Sequence, residues 1–337
     1  MQSPILARSP STPKPSLWRD ELRQAFRQPG PLLDFLGLSR AQLSLPDAQP
    51  FPMLVPRAFA ARMEQGRADD PLLRQVLPDP GELESVPGFV ADPVGDAASR
   101  RHRGLLHKYH GRVLLITTGA CAVHCRYCFR QSYPYASDHF DEAGLDHLIE
   151  YLLEHPEVEE VILSGGDPLM LDTRRLQGLT DRLRAVGSLR RLRLHTRLPI
   201  VLPSRIDEEL LAWLQSLPWS TVVVVHANHA REFDADVDRA MARLRGAGAV
   251  LFNQSVLLRG VNDDEQAMIA LMQRSFEAGV VPYYLHLLDR VEGAARFECD
   301  RRTALRLLDV MRRRLSGYLV PRLVREEAGA PYKLPVL

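Results

Sequence analysis

From residue 112 onward, the hydrophobic pattern of the chain switches repeatedly between a strand period and a helix period. Short runs rich in β-branched and aromatic residues have the length of buried strands, and the segments between them carry leucines three or four positions apart, as amphipathic helices do. The pattern predicts strands at residues 113–117, 160–164, 192–196, 221–226, 250–257 and 283–288. It predicts helices at residues 141–155, 173–186, 206–217, 235–247, 264–278 and 301–316.

Strict alternation of strands and helices predicts parallel pairing, because a parallel strand pair needs a crossover connection. Six such units predict an α/β fold, a partial (β/α)6 barrel, over residues 101–317. In barrels of this kind the active site lies at the carboxyl ends of the strands. We therefore expect the functional residues in the loops that follow the strands.

The chain on either side of this core has a different composition. Residues 1–15 are rich in proline, serine and threonine without a periodic apolar face, which predicts a flexible lead-in. Residues 16–100 predict an N-terminal helical region, in which Ser16 caps a helix that ends at Pro29-Gly30. Within it, shorter helices are predicted at residues 56–65 and 70–77 and an irregular segment from residue 79, and residues 318–337 form a separate C-terminal segment.

Composition excludes several classes of protein. The 337 residues include 43 basic and 42 acidic side chains, and a net charge of +1 gives no electrostatic footprint for nucleic acid or an anionic membrane. The longest apolar runs fall well short of the roughly 20 residues that a membrane helix needs. Residues 1–19 lack the apolar core of a signal peptide, and four cysteines are too few for a disulfide framework. We expect a soluble, cytoplasmic protein that binds no nucleic acid and no membrane.

Three of the four cysteines, Cys121, Cys125 and Cys128, fall within eight positions directly after the first predicted strand. Three thiolates on a short loop can hold three irons of a 4Fe-4S cluster and leave the fourth iron open. An open iron can bind S-adenosylmethionine, and the spacing Cys-x3-Cys-x2-Cys resembles the signature of the radical SAM superfamily. A structural zinc site with Cys299 or His124 as the fourth ligand is the alternative.

The other predicted strands also end in polar residues. Gly165 and Gly166 let backbone groups approach a ligand closely, although the same segment could be an ordinary turn with Asp167 as a helix cap. A single histidine at a strand end is more often a core residue than a ligand, but polar groups at five consecutive strand ends favour a shared site. The polar residues at these strand ends are Ser164, Asp167, His195, Thr196, Arg197, His226, Asn228, His229, Asn253, Gln254, Ser255, His286 and Asp289.

These motifs together resemble the lysine 2,3-aminomutase family of the radical SAM superfamily, and most closely its shorter EpmB branch, which acts in β-lysylation of elongation factor P. The resemblance runs from about residue 16 to the end of the chain, so it covers much more than the cluster motif. The matching stretches are residues 106–110, 117–130, 164–170, 197–200, 253–262, 282–289 and 316–321.

The resemblance implies three cofactors: a 4Fe-4S cluster on the three clustered cysteines, S-adenosyl-L-methionine and pyridoxal 5′-phosphate. It identifies Lys333, in the C-terminal segment, as the lysine that forms a Schiff base with pyridoxal phosphate. It also implies that Gly165, Gly166 and Asp167 receive the amino group of S-adenosylmethionine. Further positions implied near the cofactors are Lys108, Tyr109 and Arg112, which face pyridoxal phosphate, and His226 and Gln254.

The resemblance also implies how the substrate is held. Arg130 matches an arginine that clamps the substrate carboxylate, for which a planar guanidinium is well suited, and Asp289 matches an aspartate that pairs with the distal ammonium of lysine. Members that act on free lysine have a second aspartate where this chain has Glu326. Longer members have a zinc-binding cysteine where this chain has Asp264, so we expect no zinc.

The implied activity is an isomerisation by an L-lysine 2,3-aminomutase, which converts L-α-lysine to β-lysine, expected in the R form, for the modification of elongation factor P with its lysyl ligase. One alternative is a 2,3-aminomutase for glutamate or another amino acid, although Asp289 favours a cation at the distal end of the substrate. Another is a free-lysine aminomutase without a link to elongation factor P. A different radical SAM enzyme, such as a methyltransferase or an activase, would use the same cysteines without Lys333.

Overall fold

The computed structural model describes residues 17–49, 51–136, 138 and 142–337 of the chain. The predicted lead-in at residues 1–15 and the predicted cap Ser16 lie outside these residues. All six predicted strands and all six predicted core helices are present, with ends that differ from the prediction by at most three residues. The predicted α/β class is therefore confirmed. Across the described part of the chain, no helix combines the length and the apolarity that crossing a membrane requires.

The described strands form one sheet of ten strands. They are β1 (Arg100–His102), β2 (Leu105–Tyr109), β3 (Arg112–Thr118), β4 (Glu160–Gly165), β5 (Arg191–Thr196), β6 (Ser220–Val225), β7 (Val250–Val256), β8 (Val281–His286), β9 (Arg322–Arg325) and β10 (Leu334–Pro335). Their order in space follows the sequence, so the sheet is open, with β1 and β10 at its edges. Neighbours from β3 to β9 pair in parallel, and the pairs β1–β2, β2–β3 and β9–β10 are antiparallel. The hydrophobic pattern does not predict β1, β2, β9 or β10.

The described helices fall into a short N-terminal group and a longer group that covers the sheet. The first group is α1 (Leu17–Arg23), α2 (Pro29–Phe35), α3 (Arg57–Ala60) and α4 (Pro71–Arg74). The second group is α5 (Glu142–Glu154), α6 (Thr173–Leu183), α7 (Leu198–Val201), α8 (Glu208–Ser216), α9 (Ala235–Gly246), α10 (Glu265–Glu277) and α11 (Arg301–Arg314). The predicted helix end at Pro29-Gly30 is wrong. Helix α1 ends at Arg23, and Pro29 begins α2, because its fixed φ and missing N–H suit the first position of a helix.

The N-terminal helices share the hydrophobic core of the sheet. A single cluster of buried apolar side chains includes Phe59 of α3 and Leu115 of β3. Arg62 follows α3 and ties this layer to the core, because its Nε donates to Asp234 Oδ2 at 2.7 Å and its Nη1 donates to the carbonyl oxygen of Ile200 at 2.6 Å. The N-terminal region therefore packs as one layer of the same folded unit.

The loop that follows β3 carries the clustered cysteines, and residues 119–130 are called the cysteine loop below. The end of β4 packs directly against it, with the backbone N–H of Gly166 donating to the carbonyl oxygen of Thr118 at 2.7 Å. A Cβ atom at Gly166 would lie 2.3 Å from the carbonyl oxygen of Ala120, and Gly165 has a φ of +117°. The two glycines are therefore required by the close approach of two backbone segments.

We expect Gly166→Ala to destabilise the protein by about 1–3 kcal/mol or more, because backbone atoms must move to admit the methyl group. Gly178→Ala is the matched control, since a Cβ atom there meets nothing within 4 Å. Alanine is favoured over glycine by about 0.5–1 kcal/mol inside a helix such as α6. Chemical denaturation of the cluster-free protein measures both free energies of unfolding. Equal stability of the two variants would contradict the packing argument.

Candidate active site

A cavity of about 400 Å³ opens at the carboxyl ends of the parallel strands. Its walls come from β2, the cysteine loop, the strand ends from β4 to β8, and the C-terminal segment. The structure thus brings together residues that are more than 200 positions apart in sequence. The role of each residue in binding or catalysis remains a prediction. The predicted site residues that line the cavity are Lys108, Tyr109, Arg112, Cys121, Cys125, Cys128, Arg130, Gly165, Gly166, Asp167, His226, Gln254, Asp289 and Lys333.

The three clustered cysteines face this cavity and influence one another. Burial raises the pKa of Cys121, and the nearby Cys128 and Cys125 raise it further. Burial also raises the pKa of Cys128 to about 11, again with a contribution from Cys125. In the described chain, no three His, Cys, Asp or Glu side chains are grouped so as to hold a single metal ion. A cubane cluster does not need such a grouping, because each of its thiolates binds a different iron.

The fourth cysteine lies elsewhere. Cys299 precedes α11, packs partly buried against the core, and has its sulfur 3.9 Å from the carbonyl oxygen of Phe297. His124 of the cysteine loop lines the cavity, and its Nδ1 donates to the carbonyl oxygen of Pro52 at 2.9 Å. The three cavity cysteines therefore fit a three-thiolate cluster, with Cys299 placed outside the cavity wall.

Asp167 holds two strand ends together at the cavity wall. Its carboxylate accepts hydrogen bonds from Thr196 Oγ1 at 2.8 Å and from the backbone N–H groups of Arg197 at 2.7 Å and Leu169 at 3.0 Å. The last of these caps a short 3-10 turn, Pro168–Met170, so the predicted capping role is real. Burial raises the pKa of Asp167 to about 6, and the hydrogen bonds oppose that rise.

A chain of alternating charges crosses the other side of the cavity. Lys333 Nζ pairs with one carboxylate oxygen of Glu326, and Lys108 Nζ lies 3.1 Å from the other. Lys108 Nζ is also 2.7 Å from Asp96 Oδ1, and Arg130 Nε donates to Asp96 Oδ2 at 2.7 Å. The lysine implied to hold pyridoxal phosphate and the arginine implied to bind the substrate are thus joined through three intervening charges.

The C-terminal segment reaches this chain because it adds two strands to the open edge of the sheet. Strand β9 pairs with β8, with Tyr284 opposite Arg322, and β10 folds back on β9, with Leu334 opposite Arg325. Lys333 immediately precedes β10, so the turn between the two strands brings it beside Glu326. Backbone pairing therefore fixes the backbone of Lys333, and the ion pair with Glu326 holds its amine.

Two carboxyl groups near Lys333 have opposite pKa shifts. Burial opposes ionisation of Glu326, but Lys333 and Lys108 outweigh it and lower the pKa of Glu326 to about 2. Burial raises the pKa of Asp289 to about 7, and the negative charge of Glu326 adds to that rise. At neutral pH Glu326 is therefore fully ionised, whereas Asp289 readily accepts a proton.

Three histidines at the strand ends, His195, His226 and His286, have buried Nε2 atoms with no hydrogen-bond partner in the described chain. All three line the cavity, and the rings of His195 and His226 meet edge to face at 5.9 Å. Burial lowers the pKa of each of them, that of His226 to about 4. Unpartnered buried nitrogens are costly, so this wall suits polar ligands that supply the missing hydrogen bonds.

The cations around the cavity fit an anionic cofactor such as pyridoxal phosphate. Lys108 and Arg112 come from β2 and the start of β3, and the Arg112 guanidinium lies over the ring of Tyr109 at 4.7 Å. Lys333 supplies a primary amine to the same cavity. The sequence contains only three lysines, of which Lys14 lies outside the described residues.

Sequence analysis missed several residues near the site. Asp96, from the segment predicted to be irregular, binds both Lys108 and Arg130, and Gln75 and Glu232 surround Arg197 behind the cysteine loop. No local pattern marks these residues, because each works through a partner that is distant in sequence.

Comparison of the sequence with known proteins places this chain in a family. The model of the Radical SAM superfamily matches residues 115–272. The chain is 44% identical to the L-lysine 2,3-aminomutase of Escherichia coli (strain K12), over 97% of this chain and 96% of that protein. It is 40% identical to the protein of the same name from Haemophilus influenzae, over 98% of each chain. A third, from Buchnera aphidicola, is 37% identical over 94% of each chain.

The matches span nearly the whole of this chain and of each relative, so they extend far beyond the cysteine loop. The superfamily match begins in β3 and contains all three cavity cysteines. The predicted family is confirmed: the chain belongs to the L-lysine 2,3-aminomutase family of the radical SAM superfamily.

Proposed function

We propose that this protein is an isomerase, an L-lysine 2,3-aminomutase that converts L-α-lysine to β-lysine, expected in the R form. The observation that carries the proposal is that the clustered cysteines and Lys333, from opposite ends of the core, line one cavity. A different radical SAM enzyme would need the cysteines, but it would have no use for a partly buried lysine held by a carboxylate. Family membership supports the same choice.

The cavity residues fit three cofactors. Cys121, Cys125 and Cys128 would hold a 4Fe-4S cluster, and the Gly165-Gly166-Asp167 segment would face S-adenosylmethionine. Lys333 would bind pyridoxal phosphate covalently, with Lys108, Tyr109, Arg112, His226 and Gln254 placed around the cofactors. When bound, these groups supply radical chemistry and an electron sink for moving an amino group between adjacent carbons.

The protein itself orients the substrate. We assign the substrate carboxylate to Arg130, whose guanidinium is buried and held by Asp96 and by Ser164 Oγ, 3.1 Å from Nη1. A guanidinium has five N–H donors in a fixed plane, so it can hold a substrate carboxylate alongside these partners. Because Asp96 fixes the plane, the carboxylate of the substrate would enter in a defined orientation.

The other end of the substrate would meet negative charge. Glu326 lies close enough to Asp289 that its negative charge raises the pKa of Asp289. A lysine ammonium near Asp289 would favour the ionised carboxylate, whereas the distal carboxylate of glutamate would be repelled. Glu326 already pairs with Lys108 and Lys333, so we assign the main contact with the ammonium to Asp289.

We further propose that the β-lysine serves the modification of elongation factor P, together with a lysyl ligase, in the cytoplasm. Support comes from the resemblance to the EpmB branch. It also comes from the two most similar relatives reported above, since each match covers at least 96% of both chains. A free-lysine aminomutase without this link is the alternative. Loss of β-lysylated elongation factor P in cells that lack this protein, and its return with added β-lysine, would support the proposed link.

The test of the reaction is an anaerobic assay of lysine with S-adenosylmethionine, dithionite and pyridoxal phosphate, with chromatographic separation of the products. We expect β-lysine, with a KM for lysine that rises as the pH falls below 7. Protonated Asp289 cannot pair with an ammonium, so affinity should fall by up to about tenfold per pH unit below its pKa of about 7.

Asp289→Asn is the matched variant for this assay. It should raise the KM at pH 7.5 by about tenfold or more, since the ammonium loses its negatively charged partner, and its KM should vary little between pH 5.5 and 7.5 because asparagine does not titrate there. Conversion of glutamate instead of lysine would contradict the substrate assignment. An unchanged pH profile in Asp289→Asn would contradict the role of this carboxylate.

For the cluster, we expect Cys121→Ala, Cys125→Ala and Cys128→Ala each to lose the bound iron, because each removes one of three thiolate ligands. Cys299→Ala should keep it, since this cysteine lies outside the cavity wall. Anaerobic iron and sulfide determinations on the four purified variants measure the difference. If Cys299→Ala lost iron as completely as Cys125→Ala, the three-ligand assignment would be wrong.

For pyridoxal phosphate, we expect Lys333→Ala to abolish the covalent adduct that borohydride traps, while its iron content and its cleavage of S-adenosylmethionine stay close to wild type. The amine is removed at an edge strand pair, so the core loses no buried apolar group. Lys14→Ala is the control and should be trapped like wild type.

The small number of lysines makes the outcome decisive. A trapped adduct in Lys333→Ala that disappears in Lys108→Ala would move the covalent link to Lys108. Wild-type protein without any adduct would favour a radical SAM enzyme that does not use pyridoxal phosphate.

A further inference from the structure

A buried arginine touches one of the clustered cysteines. Arg197 lies just after β5, and its Nη1 donates to Cys125 Sγ at 2.7 Å. Its side chain is 6% exposed, and its guanidinium carbon lies 5.4 Å from the ring centre of Phe59 and 5.7 Å from that of Tyr127. The thiol of Cys125 therefore has a permanent positive charge as its neighbour, in surroundings that screen charge poorly.

Other groups hold Arg197 in this place independently of the cysteine. Its Nη2 donates to Gln75 Oε1 at 2.7 Å and to Glu232 Oε2 at 3.0 Å. Glu232 is fully buried and also accepts from Gln75 Nε2 at 3.1 Å and from the backbone N–H of Asn228 at 2.9 Å. The position of the guanidinium is therefore set by the protein before any cluster binds.

The surroundings satisfy Glu232 more fully than Arg197. The carboxylate has hydrogen bonds from several donors, whereas the Nε of Arg197 is buried without a partner among the described residues. A buried donor without a partner costs stability. A thiolate bound to a cluster would bring additional negative charge to Cys125. Its attraction to the Arg197 guanidinium would offset that cost.

We propose that Arg197 acts through Cys125 to stabilise the reduced state of the cluster, an inference that rests on the cluster assignment made above. Reduction adds one electron, and hence one negative charge, to the cluster and its thiolates. Hydrogen bonds to the sulfurs, net charge and burial set the potential of such clusters. A guanidinium bonded to a ligating sulfur favours the more negative state, so it raises the reduction potential. Gln75 and Glu232 are positioning residues for Arg197.

The same contacts could serve only to join the N-terminal layer to the sheet, because Gln75 follows α4 and Arg197 follows β5. A purely structural role would change stability without changing the potential of the cluster. The potential therefore separates the two roles.

The test is an anaerobic redox titration of the reconstituted cluster, followed by electron paramagnetic resonance, with iron and sulfide counts on the same samples. Arg197→Gln should shift the one-electron midpoint potential in the negative direction by about 59 mV or more, which corresponds to a tenfold lower equilibrium constant for reduction. Arg197→Lys keeps the charge and should recover part of the shift. Glu232→Gln keeps a hydrogen-bond acceptor for Arg197 but removes the negative charge, so it should shift the potential in the positive direction.

Arg205→Gln is the matched control, because Arg205 is also buried but donates to the carbonyl oxygen of Leu169 and does not line the cavity wall. It should reduce stability and leave the potential unchanged. An unchanged potential in Arg197→Gln with full iron content would overturn this inference and leave the proposed function intact. If Arg197→Gln retains no cluster, the potential of Glu232→Gln decides, and an unchanged value there overturns the inference. A wild-type protein that binds no cluster would overturn both.

Discussion

Parallel pairing from β3 to β9 is the constraint on which the site depends. Because neighbouring strands run in the same direction, their carboxyl ends lie along one edge, and the loops that follow them meet there. The cysteine loop follows the first of these strands, β3. Lys333 comes after the last of them, β9, and is positioned by the pairing of β9 with β10. An antiparallel arrangement of the same strands would send half of these loops to the opposite edge.

Charge balance is the second requirement, because the cavity contains several charged groups that are buried or partly buried. Lys333, Glu326, Lys108, Asp96 and Arg130 alternate in sign, so each of these charges has an opposite neighbour. Unpaired buried charges would be strongly destabilising. The alternation holds the amines of Lys333 and Lys108 and the guanidinium of Arg130 in place before any ligand binds. This is a form of preorganisation.

The N-terminal layer takes part in the site through both charge and packing. It provides Asp96, which binds Arg130, and Gln75, which binds Arg197. Glu82 of this layer holds the buried Arg126 of the cysteine loop, with Nε 2.9 Å from Oε1. The conformation of the cysteine loop therefore depends on contacts from a layer that contributes no strand to the parallel core. The N-terminal region can tune the site while the core sets its geometry.

The sequence by itself determined the elements of the core and the chemistry of its loops. A buried strand or an amphipathic helix leaves a periodic apolar pattern, and cysteines that share a cluster can be close in sequence, so residues 113–117 and Cys121 to Cys128 could be recognised locally. The resemblance added Lys333 and the residues around it. Only the tertiary structure decided that β1, β2, β9 and β10 extend the sheet, because strands of two to five residues are too short to show a period. It alone brought Asp96 to Arg130 and Gln75 to Arg197, because an ion pair or a hydrogen bond between distant segments depends on how they pack and leaves no trace in local sequence.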